Sequence, residues 1–240
     1  MGGFANNAPI VTDGLVFYVD AGNGNSYPGS GGTWSDLVGG NDGSFDNMDD
    51  VNNPSNNYDS ANGGSVVLDG VDEKVSTTFD ADFFPLSICC WVNFDTISFS
   101  GNPRAIVDQS PGTQGFGFRM NNNGNIATFY FNNNNATNEK IIIANSLLSA
   151  NTWHYVCVTY AATQVKGYAD GNLSLSESVD LTNPKPITDN TNLLTIGGSP
   201  DNSNFSLPLA GKISNVKIYN KTLSGDEITQ NYNALKNRFV

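Results

Sequence analysis

The sequence predicts an all-β domain, a sandwich or barrel, that closes on one short C-terminal helix. Three observations carry that expectation. Short runs rich in β-branched and aromatic residues recur along the chain, split by Gly, Asn, Asp and Pro. Charged residues are only 14% of the 240, while aromatics reach 11%, so surface polarity rests largely on Asn and Gly, which are turn formers. Helical periodicity shows only after Ser224.

Leu15-Val16-Phe17-Tyr18-Val19 reads as a first buried strand. Residues 21–62 form a long segment crowded with Gly, Asn, Asp and Ser, and a loop of that length needs anchors to stay ordered. Trp34 and Phe45 are the candidates. Ser65-Val66-Val67-Leu68 then runs into the turn Asp69-Gly70, and Lys74-Val75-Ser76 returns. Residues 86–94 are the strongest run: Leu86, Ile88, Cys90, Val92 and Phe94 share one face, Cys89 and Trp91 the other. A strand apolar on both faces belongs at the centre of a sheet. Runs at 104–107, 115–120 and 126–131 are split by Pro111-Gly112 and Asn121-Asn122-Asn123-Gly124. Runs at 141–144 and 153–160 follow. Residues 164–169 meet 173–178 across Asp170-Gly171, a hairpin signal, and 193–197 and 211–219 complete the set. Ser224-Gly225-Asp226-Glu227 is a capping box, and Ile228, Tyr232, Leu235 and Phe239 recur as one apolar stripe, which predicts a helix over about 224–238. No repeat or linker divides the chain, so residues 14–240 read as one domain behind an N-terminal segment, residues 1–13.

A net charge of −12 and a pI near 4.2 argue against nucleic acid, whose phosphates call for basic clusters, and against an anionic membrane surface. No apolar run approaches the roughly 18 residues of a spanning helix. The opening Met1-Gly2-Gly3-Phe4 lacks the basic and apolar regions of an export signal. The three cysteines, an odd number in apolar strands, read as reduced thiols packed as small hydrophobes in a protein that folds in a reducing compartment. His154, the single histidine, lies mid-strand and reads as structural: there is no Gly-x-Ser-x-Gly elbow, and Cys157, three residues on, points to the opposite face. No zinc spacing, phosphate loop or dinucleotide fingerprint occurs.

Taken in order, several pieces form a series: Gly14-Leu15-Val16-Phe17-Tyr18-Val19-Asp20-Ala21; Trp34-Ser35-Asp36-Leu37; Ser65-Val66-Val67-Leu68-Asp69-Gly70; Leu86-Ser87-Ile88-Cys89-Cys90-Trp91-Val92; Trp153-His154-Tyr155-Val156-Cys157-Val158; Tyr168-Ala169-Asp170-Gly171; Ile196-Gly197-Gly198; and Ala210-Gly211-Lys212-Ile213-Ser214-Asn215-Val216 leading into Leu223-Ser224. This series resembles laminin-G-like domains of the concanavalin-A-like lectin/glucanase superfamily. The resemblance implies a two-sheet antiparallel jelly-roll sandwich. The ending, Leu223-Ser224 through Tyr232-Asn233-Ala234-Leu235, resembles free-standing domains of phage virion proteins.

Glucanases of that superfamily carry Glu-x-Asp-x-x-Glu, a paired acid and nucleophile. The glutamates here, Glu73, Glu139, Glu177 and Glu227, do not form it, so the chain is expected not to be an enzyme. Laminin-G-like domains often hold one calcium ion at the rim, which makes Asp20, Asp69, Asp72, Asp108 and Asp201 candidate oxygen ligands. Against this, Asp69-Gly70 is favoured as a plain turn, and no EF-hand spacing exists. Glycan sites in such folds use exposed aromatics, and Tyr27, Trp34, Tyr58, Phe99 and Phe205 stand in loop-like contexts. The competing role for all five is loop anchoring. The leading expectation is a non-enzymatic virion structural or interaction protein, a capsid decoration or tail-associated protein. It is expected to be made in the host cytoplasm and carried on the virion surface, where it contacts capsid or tail subunits and host glycans, as a homo-oligomer. The alternative is a carbohydrate-binding module or adhesin, extracellular or at a cell surface, with or without Ca²⁺.

Overall fold

The computed structural model describes residues 8–48, 57–81, 83–110, 115–131, 137–181, 193–200 and 207–240. Among these, strands β1 (Leu15–Asp20), β2 (Thr33–Trp34), β3 (Gly43–Asp46) and β4 (Tyr58–Asp59) precede β5 (Ser65–Asp69) and β6 (Lys74–Thr77). Then follow β7 (Leu86–Phe94), β8 (Arg104–Asp108), β9 (Phe116–Met120), β10 (Ile126–Phe131) and β11 (Thr137–Ile143). The last are β12 (Trp153–Tyr160), β13 (Gln164–Ala169), β14 (Asn172–Ser178), β15 (Thr195–Ile196), β16 (Ala210–Tyr219) and helix α1 (Gly225–Leu235). Two antiparallel sheets result. One runs β14-β13-β12-β7-β16-β5-β4, with β1 also on β16, and the other runs β11-β10-β9-β8-β15-β6-β3-β2. This is the jelly-roll sandwich.

β7 is central, between β12 and β16, and the alternation read from its sequence holds. Leu86, Ile88, Cys90, Val92 and Phe94 meet Ile106, Phe116 and Phe118 of the other sheet in the main core. Cys89 and Trp91 face outward and are nonetheless buried, because α1 lies over them. The stripe Ile228, Tyr232, Leu235 and Phe239 joins Trp91, Tyr155 and Tyr219 in this second core. Phe239 stacks on Trp91 at 4.2 Å between centroids, and Tyr232 does so at 5.6 Å. Each such buried side chain contributes roughly 1.5–3 kcal/mol. The cap forms as read: Glu227 N–H donates to Ser224 Oγ (3.2 Å), and Ser224 N–H donates to Glu227 Oε2 (2.8 Å). The helix proper ends at Leu235, and the remaining turn, Lys236–Arg238, tightens to 3₁₀ geometry.

The long segment after β1 is not one loop. It carries β2, β3 and β4, short pairs with too few alternating residues to read as strands. Trp34 and Phe45 do anchor it, edge-to-face at 6.4 Å, with Trp34 fully buried. β11 begins at Thr137, ahead of the apolar run that announced it at 141.

The cysteines correct an expectation. Pairing of β7 with β12 sets Cys89 directly opposite Cys157, with Cα atoms 4.1 Å apart, and the two sulfurs form a disulfide. Cys90 remains a free, buried thiol. The odd count concealed a pair plus one, and the partner of Cys89 was set by strand register rather than by spacing along the chain. Alkylation of the denatured, unreduced protein is expected to label one cysteine per chain. Labelling of all three would show that the pair is not oxidised.

Candidate functional site: a cationic pocket at the sandwich rim

The loop between β7 and β8, the turn between β5 and β6 and the approach to β16 meet at one end of the sandwich. Backbone bonds fix them: Asp95 N–H to Ala210 O (3.2 Å), Ala105 N–H to Leu207 O (2.9 Å) and Leu209 N–H to Gly197 O (2.9 Å). Leu207 is held at φ 46, a left-handed conformation that costs a leucine about 1–2 kcal/mol. Strain of this kind is often stored where loops shape a ligand site.

Between these segments lies a pocket of about 200 Å³, walled by Gly70, Phe99, Ser100, Asn102, Arg104 and Leu207 among others. Arg104 opens β8, and its guanidinium carbon sits 4.4 Å above the centre of the Phe99 ring. That stacking is a cation–π contact. The Arg104 Nη1 is buried and makes no hydrogen bond. The chain has three arginines. Arg119 pairs with buried Asp108 through its Nε, and Arg238 Nη1 reaches both oxygens of Asp20 at 3.0 Å. Arg104 has no carboxylate among the described residues. The wall thus combines a flat apolar ring, an unspent cation and the short polar side chains of Ser100 and Asn102. This is the mix that holds a small polyhydroxylated ligand: ring against C–H faces, polar groups against hydroxyls.

Of the aromatics singled out from the sequence, Phe99 lines this pocket. Trp34 and Tyr27 are buried, Tyr27 edge-to-face with Phe45 at 5.2 Å, and Tyr58 packs on Tyr27 at 5.5 Å. These three pack within the segment after β1. Phe205 and Asp201 lie outside the described residues. The turn that starts at Asp69 contributes Gly70 to the wall. Arg104 was missed: its cue is a lone arginine directly after the turn Gly101-Asn102-Pro103 in a chain with few cations.

The candidate calcium ligands are not brought together. Asp20 is saturated: it accepts from Tyr18 Oη (2.8 Å), Gly22 N–H (2.8 Å) and Arg238. Asp108 accepts from Ser110 N–H (2.8 Å) and Arg119. Asp69 caps its own turn through Val71 N–H (2.7 Å), and Asp72 is exposed. Among the described residues, no three Asp, Glu, His or Cys side chains converge where they would hold a metal.

His154 is buried within an ordered array. Ser149 N–H donates to its Nε2 (3.0 Å), which leaves the proton on Nδ1 to donate to Asp170 Oδ2 (2.9 Å). Ser149 Oγ is 3.2 Å from the same Nε2. The order Ser–His–Asp is that of a proton relay. Here, however, the lone pair of Nε2 already receives the serine's own backbone N–H, so the base is not free for the hydroxyl. The array pins residues 149–154 to the hairpin at Asp170, whose Oδ1 also takes Tyr155 N–H (2.9 Å).

Beneath α1, Lys217 is fully buried, its Nζ 2.7 Å from Asn215 Oδ1 and 4.7 Å from the Tyr18 ring centre. A bulge at Ser214, where pairing with β7 shifts register, turns Lys217 outward while keeping Ile213, Val216 and Ile218 in the main core. Burial lowers the Lys217 amine to about 8, partly offset by nearby Asp20.

A laminin-G model of the concanavalin A-like lectin/glucanases superfamily matches residues 61–229. The chain belongs to that superfamily. No curated protein matches the sequence. Among solved structures, the binding domain of botulinum neurotoxin serotype D is similar at a TM-score of 0.64 and 19% identity, over 92% of this chain and 51% of that one. The receptor binding domain of botulinum neurotoxin type G is similar at 0.62 and 15%, over 92% and 51%. Trypanosoma rangeli sialidase in complex with sialic acid is similar at 0.66 and 16%, over 97% and 35%. At such identities the likeness is one of fold, and the chain spans about half, or less, of the length of these neighbours.

Two stability outcomes follow from the buried groups. Asp170→Ala removes two hydrogen bonds at a left-handed position (φ 50) and is expected to cost about 2 kcal/mol in urea unfolding. Lys217 binds its proton less tightly folded than at its ordinary 10.5, so the cost of burying the ammonium is fully present below about pH 8 and is relieved as pH rises toward 10.5. Lys217→Met removes this dependence. The stability of the variant relative to the parent should therefore fall by about 2 kcal/mol between about pH 7 and about pH 9.5. A constant difference would mean that the amine is not perturbed.

Proposed function

We propose that this chain is a lectin-like binding module, not an enzyme, that holds a saccharide in the rim pocket at Phe99 and Arg104. The observation that carries this reading is the Arg104 guanidinium set against Phe99, without a carboxylate among the described residues, in a wall that also offers Ser100 and Asn102. Membership of a lectin/glucanase superfamily supports it, as do neighbours named as binding domains. Binding rather than hydrolysis is supported by what the glutamates do. Glu73 accepts from Asn57 Nδ2 (3.0 Å) and Asp69 N–H (2.7 Å), and Glu227 is spent on the helix cap. A virion surface, with capsid or tail subunits holding the module in place, is the setting attached to this reading. It is supported by the likeness of residues 223–235 to phage virion domains.

The test is a broad glycan array probed with the purified chain in calcium and then in EDTA. Specific binding should survive EDTA, because the pocket wall offers a cation and a ring rather than carboxylates, and Phe99→Ala should abolish it. Loss in EDTA would move the site to a metal. Silence in both conditions would leave protein contact, the assembly role, as the function.

A further inference from the structure

We infer that the rim pocket selects a saccharide bearing a carboxylate, with Arg104 as its anion subsite; this rests on the reading of the pocket as a glycan site. The starting point is a mismatch of charge. The chain holds 23 acidic residues against 11 basic ones, so an arginine has carboxylates in excess to choose from. Two arginines take buried aspartates. Arg104 takes none among the described residues, and it stands in the pocket wall. A guanidinium carries five N–H donors and no acceptor, so one that lines a pocket without a carboxylate beside it has donors for an anionic ligand.

The stacking defines which ligand group fits. Phe99 lies 4.4 Å from the guanidinium carbon and holds the group by a cation–π contact that uses none of its N–H donors. A guanidinium is a planar fork whose N–H pairs match the two oxygens of a carboxylate. A single cation in the pocket matches a single negative charge. The long-range field of the chain, at −12, repels anions, so attraction must come from contact within the pocket and not from steering. The volume of about 200 Å³ falls below the roughly 300–1,000 Å³ of sites for drug-sized ligands, which suits one saccharide residue. Uronic acids and sialic acids share this chemistry, one with the carboxylate on a six-carbon ring sugar and the other on a larger acidic sugar with a side chain.

The experiment is titration calorimetry of the full chain with four probes: sialyllactose, its methyl ester, a glucuronate-containing disaccharide and the neutral glucose counterpart. One of the two acids should bind at least about tenfold more tightly than its neutral counterpart, as expected for a charge-assisted bidentate contact. The acid that does so identifies the source. Arg104→Gln should remove that preference, bringing the acid down to the affinity of its neutral counterpart, while circular dichroism and a cooperative melt show that the variant still folds despite losing the contact with Phe99. Arg104→Lys should restore only part of the preference, because an ammonium lacks the fork. Equal binding of acid and neutral probes, or a preference that persists in Arg104→Gln, would overturn the anion subsite while the glycan site stands. Binding of no probe, together with a silent glycan array, would overturn both.

Discussion

The architecture depends on β7 being buried twice. A strand in a two-layer sandwich normally has one dry face, yet here Trp91 and Cys89 on its outer face are as inaccessible as Ile88 and Val92 on its inner face. α1 makes the difference. Its aromatic stripe closes over Trp91, and Arg238, one turn further on, binds Asp20 at the end of β1. The last residues of the chain thereby lock to the first strand, and the sheet between them has both faces covered. The disulfide from Cys89 to Cys157 lies in this same second core, where it ties β7 to β12 beneath the helix.

This arrangement shapes the charges of the molecule. Burying an outer sheet face under a helix traps polar groups that β16 presents there, and the bulge at Ser214 decides which they are. Asn215 and Lys217 end up inside, with Arg238 donating to Ser214 Oγ at 2.9 Å. Asp20 is the anion that makes this tolerable: it meets Arg238 directly and lies close enough to Lys217 to favour its charged form. That is why Asp20, a plausible calcium ligand by residue type, has no oxygen to spare. Buried pairs of this kind are costly to break from one side, and they fix how the helix docks more than they add net stability.

Strand positions with strong alternation were legible in the sequence because the period of two is a local property: residues 86–94, the Asp170-Gly171 hairpin and the capped helix all stand where the pattern put them. β2, β3 and β4 were not, since two to four residues carry no period. The disulfide and the Asp20 pair were hidden for a different reason. Both join residues far apart in sequence, brought together by register and by helix docking, and nothing local encodes either. Of the pocket, Phe99 was legible as a loop aromatic. Arg104 was not, because a lone arginine beside a turn is ordinary until it is seen to have no carboxylate among the described residues.

The location of the pocket follows from the same economy of faces. The outer face of one sheet is taken by α1, and the space between sheets is filled by the main core, so neither is left to receive a ligand. What remains is the rim, where β5, β7 and β16 of one sheet end beside the start of β8 in the other. There the loops are shaped by backbone contacts of their neighbours: a Cβ on Gly70 would come within 2.6 Å of Ala210 Cβ, and Leu207 is held left-handed. Such a rim changes composition at little cost to the strands beneath it. A sandwich stabilised by two cores can therefore carry a strained, partly unsatisfied site at its edge. Arg104, in a pocket wall without a carboxylate among the described residues, is the kind of local cost that a rigid scaffold can sustain.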